Sequence, residues 1–259
     1  MSFNEQQLSP YANASYVIED RTLSYPTQFH DGSVAMAMFA VSASVADELI
    51  KNTPFRVARI APRTALLSLI CVNYTDTQVG EYQELALAFF VEPFEKKRRL
   101  PYLSTLTDIL SGKVASYTWY LPVTTTLSQE CGKQMWGFPK TVEDIRFERK
   151  GERAEFSLHR AGESVLRFAV KAKGSMAPKS VSPPVYSLFQ DRPHVGYLAQ
   201  QFRGVGYQLG GAELELGDSD ITEPLKALGL PKRSLLSGWM EHLTFSMSAP
   251  YPLAPENSQ

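Results

Sequence analysis

The chain has 259 residues, 44% of them hydrophobic, with 26 basic and 27 acidic side chains and a formal net charge of -1. That length supports one sizeable core or two small ones. The near-neutral balance supplies no general field for nucleic acid or an anionic membrane. Cys71 and Cys131 lie far apart, in apolar or mixed stretches without metal-ligand spacing. They are expected to be buried, reduced thiols that demand no oxidising compartment.

The first segment, MSFNEQQLSPYANASYVIEDRT, is polar and lacks the basic and apolar regions of a secretory signal. Residues 1–28 read as an arm that lies on the surface or reaches a neighbouring subunit. The longest apolar runs, VAMAMFAVSASVA and LALAFFV, fall short of the roughly 18–20 residues that span a bilayer. No membrane partner is expected, and a cytoplasmic location is the simplest expectation.

From Ser33 to Ala46 small and larger apolar residues alternate, predicting a strand and then a turn into a helix over SVADELIKN, with Ser44 as candidate N-cap. TALLSLICVNY (64–74) and EYQELALAFFVEPF (81–94) are strand candidates. EKKRRLP (95–101) reads as an exposed loop and TLTDILSGK (105–113) as a short helix or turn. VASYTWYLPVTTT (114–126) is β-like, and SQECGKQMWG (128–137) suits a short helix ending at Gly137. Residues 138–174 alternate and carry Gly turn signals at Gly151, Gly162 and Gly174, which predicts a β-meander. The Pro- and Ser-rich KSVSPPVYSLFQDRP (179–193) reads as a long connection. GYQLGGAELELGD continues as strand, ITEPLKALGL is a short helix stopped by Gly229 and Pro231, and WMEHLTFSMSAPYPL ends in a strand. Helices are few and strands recur between turn signals. An antiparallel sheet, closed or partly closed on itself, fits this better than βαβ units. GVGYQLGG (204–211) matches neither dinucleotide nor P-loop spacing.

The stretch that carries chemistry is GKQMWGFPKTVED (132–144). Trp136 and Phe138 crowd the approach to Lys140, and Pro139 fixes φ and turns Phe138 away from helix. Lys140 should therefore leave rigid, extended backbone beside apolar surface. Lost hydration favours an uncharged amine, which can attack a carbonyl where an ammonium cannot. On residues alone, a surface lysine with its stem on apolar neighbours is the commoner case.

GKQMWGFPK resembles the catalytic segment of the acetoacetate decarboxylase family, which ends in the Schiff-base lysine; Lys140 takes that position. GEYQE (80–84) is similar to a family stretch in which a tyrosine precedes an active-site glutamate by two residues, matching Tyr82 and Glu84. FHDG (29–32) resembles a family FHxR element, and LGLPKRSLLSGWMEHLTFSM (228–247) its closing loop and strand. The resemblance implies a mainly β (α+β) fold: a closed, cone-shaped antiparallel β-barrel with a few short peripheral helices. It would occupy residues 29–252, between the arm and an exposed tail, 253–259. It also implies a homo-oligomer with an apolar interior pocket, and a lysine that forms a protonated imine with a β-keto acid, without metal or organic cofactor. Lys140 and Glu84 become the catalytic candidates. Phe29, His30, Tyr82, Trp136 and Phe138 become the substrate-binding ones. Three features depart from the family pattern. Thr141 follows the lysine where the decarboxylase has a second lysine, Gly32 replaces the FHxR arginine, and a second family glutamate falls in the apolar TALLSLICV. The reaction expected is decarboxylation of a β-keto acid, and the substrate expected is a small carbonyl or keto acid, either acetoacetate-like or larger or less charged. Alternatives are a keto-acid aldolase or dehydratase using the same lysine, and a silent binding barrel.

Among the other candidates, Glu81 competes with Glu84. His159 is expected at the surface, His194 in a polar loop and His242 in a structural role, and the four histidines are too scattered for zinc. No GxSxG elbow is present. Glu213 and Glu215, two apart on a strand, are expected on a solvated face or at a subunit contact.

Overall fold

The computed structural model describes residues 9–93 and 102–253. Residues 1–8 of the expected arm, the loop expected at 95–101 and residues 254–259 of the expected tail lie outside the described residues.

A hairpin of β1 (Ser15–Ile18) and β2 (Arg21–Ser24) precedes the long β3 (Thr27–Ser42), which runs straight into α1 (Ala43–Leu49). The expected cap at Ser44 is displaced to Ser42, which makes no side-chain capping bond. Pairing of Ser42 with Thr64 holds the backbone extended up to the helix and leaves no room for a turn. Short β4 (Phe55–Val57) and β5 (Arg59–Ala61) lead to β6 (Thr64–Thr77) and β7 (Tyr82–Pro93). After α2 (Leu103–Leu110) come β8 (Ala115–Val123) and α3 (Thr126–Cys131). One turn of π-helix, Gly132–Trp136, follows and closes at Gly137 as expected, before β9 (Lys140–Val142). The meander is β10 (Asp144–Lys150), β11 (Arg153–Arg160) and β12 (Glu163–Lys171).

The stretch 179–193, expected to be a connection, instead forms β13 (Lys179–Val181), β14 (Pro184–Phe189) and the start of β15 (Arg192–Leu209). Pro184 takes the first strand position, where a missing N–H is tolerated, and Val185, Ser187 and Phe189 share the buried face. The chain finishes with β16 (Glu213–Leu216), α4 (Thr222–Ala227), β17 (Leu236–Met247) and β18 (Tyr251–Pro252).

Pairing runs β7–β6–β3–β17–β15–β14–β8 and returns from β8 to β7, a closed ring of seven strands. It is not wholly antiparallel: β14–β8 and β8–β9 are parallel. Such pairs need long connections, and the meander and helical segments supply them. A second sheet, β10–β11–β12–β16, lies outside the ring.

The ring strands are apolar on both faces, and strand periodicity sorts their residues. Odd positions of β3, β6 and β7, such as Ala37, Phe39, Leu67, Leu69, Leu87 and Phe89, join the core with Phe156, Leu158, Phe168 and Trp239. Even positions, such as Val34, Met36, Val72, Tyr74 and Tyr82, belong to a separate inner cluster. Two-sided burial explains why TALLSLICV reads as an unbroken apolar run rather than an alternating one.

Of the N-terminal arm, residues 9–28 pack on this chain itself. Ile18 and Leu23 enter the inner cluster, Ser9 Oγ donates to Pro250 O at 2.7 Å, and the Tyr25 hydroxyl donates to Met135 O. No helix among the described residues is long and apolar enough to cross a membrane.

Phe156 is fully buried between the outer sheet and the ring. Phe156→Ala should cost about 3–5 kcal/mol of stability, measured by urea unfolding. A loss under about 1 kcal/mol would mean that the two sheets do not share this core.

Candidate active site

Glu84 sits on β7 with the even, inward set, opposite Val72 of β6 and Val123 of β8. Lys140 begins β9 opposite Leu121 of β8. The two side chains meet across β8, with Lys140 Nζ 2.8 Å from Glu84 Oε2 and both groups largely withdrawn from solvent, at 8% and 14% exposure. The competing Glu81 is exposed.

Further groups surround the pair. Lys140 Nζ donates to Ser128 Oγ at 3.0 Å and lies 5.1 Å from the centre of the Tyr82 ring. The Tyr74 hydroxyl lies 3.5 Å from Glu84 Oε1, at the limit of a hydrogen bond, and Tyr74 stacks on Tyr82 at 4.5 Å. Burial, reinforced by the Glu84 charge, holds the Tyr74 and Tyr82 phenols well above their ordinary range. Both are therefore neutral hydroxyls that can donate.

Local sequence shapes this arrangement. Thr125 caps α3, its side chain accepting from Ser128 N at 3.2 Å, which fixes Ser128 in the first turn. Gly132 lies against the lysine stem: a Cβ there would stand 2.5 Å from Lys140 Cδ and 2.8 Å from Cε. Gly137 has φ +70° and would drive a Cβ to 2.3 Å from Leu188 O, so only glycine suits the turn into Phe138–Pro139–Lys140. Trp136 is anchored by Nε1 donating to Ser248 O at 2.9 Å.

The pair opens on a cavity of ≈ 360 Å³ inside the ring. Of the expected site residues, Lys140, Glu84, Phe29, Tyr82, Trp136 and Phe138 all line it. His30 does not: it is exposed and outside the lining, because alternation along β3 turns it away from Phe29. Among the described residues, Glu84 and Lys140 are the only charged residues of the lining. Gly32 stands beside Tyr74, whose Cδ1 would be 3.4 Å from an added Cβ, so this aromatic ring fills the space next to Gly32.

Sequence reasoning missed Ser128, Tyr74 and Gly132. The Thr125–Ser128 spacing of a helix cap and the even face of TALLSLICVNY were the available signals for the first two. His194, expected in a loop, is buried in β15, with Nδ1 2.9 Å from Arg192 O and its ring against Phe189. His159 is half-buried beside Ser157, and His242 is exposed and pairs with Asp31. Glu213 and Glu215 face solvent and pair with Arg153 and Arg167. Cys71 and Cys131 are free and buried, as expected.

A mainly β protein with a closed ring, an interior cavity and a buried lysine–glutamate pair is the class these features define. The sequence model of the acetoacetate decarboxylase (ADC) family matches residues 8–252, and the chain belongs to that family. No curated protein matches its sequence. Among solved structures it is similar to the acetoacetate decarboxylase of Legionella pneumophila subsp. pneumophila str. Philadelphia 1, with 12% identity and a TM-score of 0.64 over 90% of this chain and 89% of that one. The enduracididine biosynthesis enzyme MppR complexed with pyruvate is 14% identical, with a TM-score of 0.61 over 91% and 93% of the two chains. An acetoacetate decarboxylase-like enzyme from Sphingomonas wittichii RW1 is 12% identical, with a TM-score of 0.56 over 93% and 99%. At these identities the likeness is one of fold.

Burial raises the Cys71 thiol well above its ordinary value of 9.0, pushes Cys131 up to about 11, and holds Tyr74 and Tyr82 above 10.0. As pH rises past these ordinary values the unfolded chain releases protons that the folded chain keeps. The folded state then binds more protons, so stability falls with rising pH. Urea unfolding at about pH 8 and about pH 10.5 should show this loss. Equal stabilities would contradict the burial of these groups.

Proposed function

We propose that this chain is a carbon–carbon lyase that decarboxylates a β-keto acid through a Schiff base on Lys140. The observation that carries the reading is a lysine amine in the wall of an apolar cavity with a carboxylate 2.8 Å away. Family membership supports it.

Glu84 is the nearest base for the ammonium proton, and the amine so freed attacks the keto carbon. The carbinolamine loses its hydroxyl as water, with Glu84 returning the proton, and a protonated imine remains. The bond to the carboxylate then breaks. Its electron pair moves into the imine to give an enamine, and carbon dioxide departs. One proton from solvent, delivered through Glu84, reaches the enamine carbon. Water finally hydrolyses the imine to release the ketone and the amine. A cavity with no other cation among the described residues disfavours the substrate's carboxylate relative to its neutral product, which assists the bond-breaking step. The route draws on no metal or organic cofactor.

A second reading rests on the structural likeness to MppR, a structure of which holds the condensation product of pyruvate and imidazole 4-carboxaldehyde. In that reading the imine loses a proton instead of carbon dioxide, and the enamine attacks an aldehyde.

Incubation with keto acids and aldehydes followed by borohydride reduction should add a mass to the peptide containing Lys140, and Lys140→Ala should abolish it. Glu84→Gln should lower turnover by about 10²–10⁴-fold. Carbon dioxide release measured alongside separates decarboxylation from condensation. Absence of any adduct on Lys140 would sink both readings.

A further inference from the structure

The cavity extends well beyond the reacting pair. Along β7 the inward residues after Glu84 are Ala86, Ala88 and Phe90, all of them lining it. Six residue steps from Glu84 to Phe90 cover about 20 Å of strand. Small side chains keep this stretch open: Ala88 pairs with Ser68 on β6 and with Thr118 on β8, and Phe90 pairs with Ser116. Met36, Met38, Met240 and Met247 contribute to the walls, and unbranched thioethers adapt to an apolar chain better than β-branched residues do.

Charge settles what this stretch can accept. Lys140 and Glu84 already answer each other, and no other lining residue among the described residues carries charge. A carboxylate or phosphate placed near Phe90 would meet no counter-ion among the described residues of the lining, at a large desolvation cost. The hydroxyls of Ser68, Ser116 and Thr118 are neutral. The volume of ≈ 360 Å³ holds about a dozen non-hydrogen atoms at roughly 30 Å³ each. A four-carbon keto acid leaves a large part of it unfilled.

We infer that the substrate is a carbonyl compound with an unbranched, uncharged tail of medium length, its carbonyl at Lys140 and its tail along β7 toward Phe90. This rests on the lysine reading above and extends it by naming the substrate class.

The test compares acetoacetate, β-ketohexanoate, β-ketooctanoate and β-ketodecanoate by kcat/KM and by borohydride trapping. In parallel, acetone and methyl heptyl ketone are titrated into the wild-type protein and Lys140→Ala by calorimetry. Each buried methylene should raise kcat/KM about fourfold, so β-ketooctanoate, four methylenes longer, should exceed acetoacetate by about 250-fold. Ala88→Leu and, on the facing strand, Ser68→Leu should each move the ratio of long to short substrate down by about 10-fold or more. Two separate substitutions guard against one of them failing to fold. Acetoacetate as the best substrate would overturn the inference and leave the lysine chemistry standing. No adduct with any acid, together with methyl heptyl ketone, six methylenes longer, binding on the order of 1,000-fold tighter than acetone, would remove the lysine chemistry and support the tail site. Failure of both the adducts and the ketone titration overturns both.

Discussion

A lysine amine can lie inside an apolar ring of strands only where something beside it answers its charge, and here Glu84 does so at 2.8 Å. Burying either charge alone is costly, and pairing with further hydrogen bonds is what makes it tolerable. The surroundings are arranged around that need. Ser128 takes a hydrogen bond from the ammonium, and the Tyr74 hydroxyl approaches the other carboxylate oxygen. These contacts orient the pair toward the cavity and leave Nζ beside open space.

Backbone shape at the π-turn is the second requirement. Gly132 gives the lysine stem its channel, and Gly137 allows the reversal that brings Phe138, Pro139 and Lys140 back along β8. Tyr25 and Trp136, whose rings meet edge to face, both hold the turn, the first through Met135 O and the second through Ser248 O. The N-terminal hairpin is thereby part of the site's support, and not an appendage reaching away from it. The reactive group is carried on a three-residue strand fixed by its neighbours, and rigid placement of this kind is what converts proximity into rate.

The cavity exists because the ring strands have two buried faces. Large residues at odd positions fill the space between the sheets, while alanines, serines and methionines at even positions leave room inside. A change of register by one residue would exchange the two sets. The same alternation sends Glu84 inward, whereas the register shifts of β3 between Phe29 and Gly32 change its phase, so that Phe29 lines the cavity and His30 faces solvent.

The sequence by itself determined the local matters. GFPK announces an extended lysine after a tight turn, Gly137 marks the end of a helical segment, and alternation with glycine turns gives the β10–β11–β12 meander. Spacing from Tyr82 to Glu84 puts both on one strand face, since that depends only on a period of two. Tertiary structure decided the rest. Lys140 is buried because β8 and β9 pair, and it meets Glu84 because ring closure brings β7 beside β8, relations between segments that no local pattern encodes. Stretch 179–193 becomes strand because the ring needs β14 to reach β8, which outweighs the turn propensity of its prolines and serines. His194 is buried for a similar reason, since β15 continues through a segment whose local composition suits a loop. Ser128 and Tyr74 enter the site only when the sheet closes, and the cavity they border is a property of the closed ring.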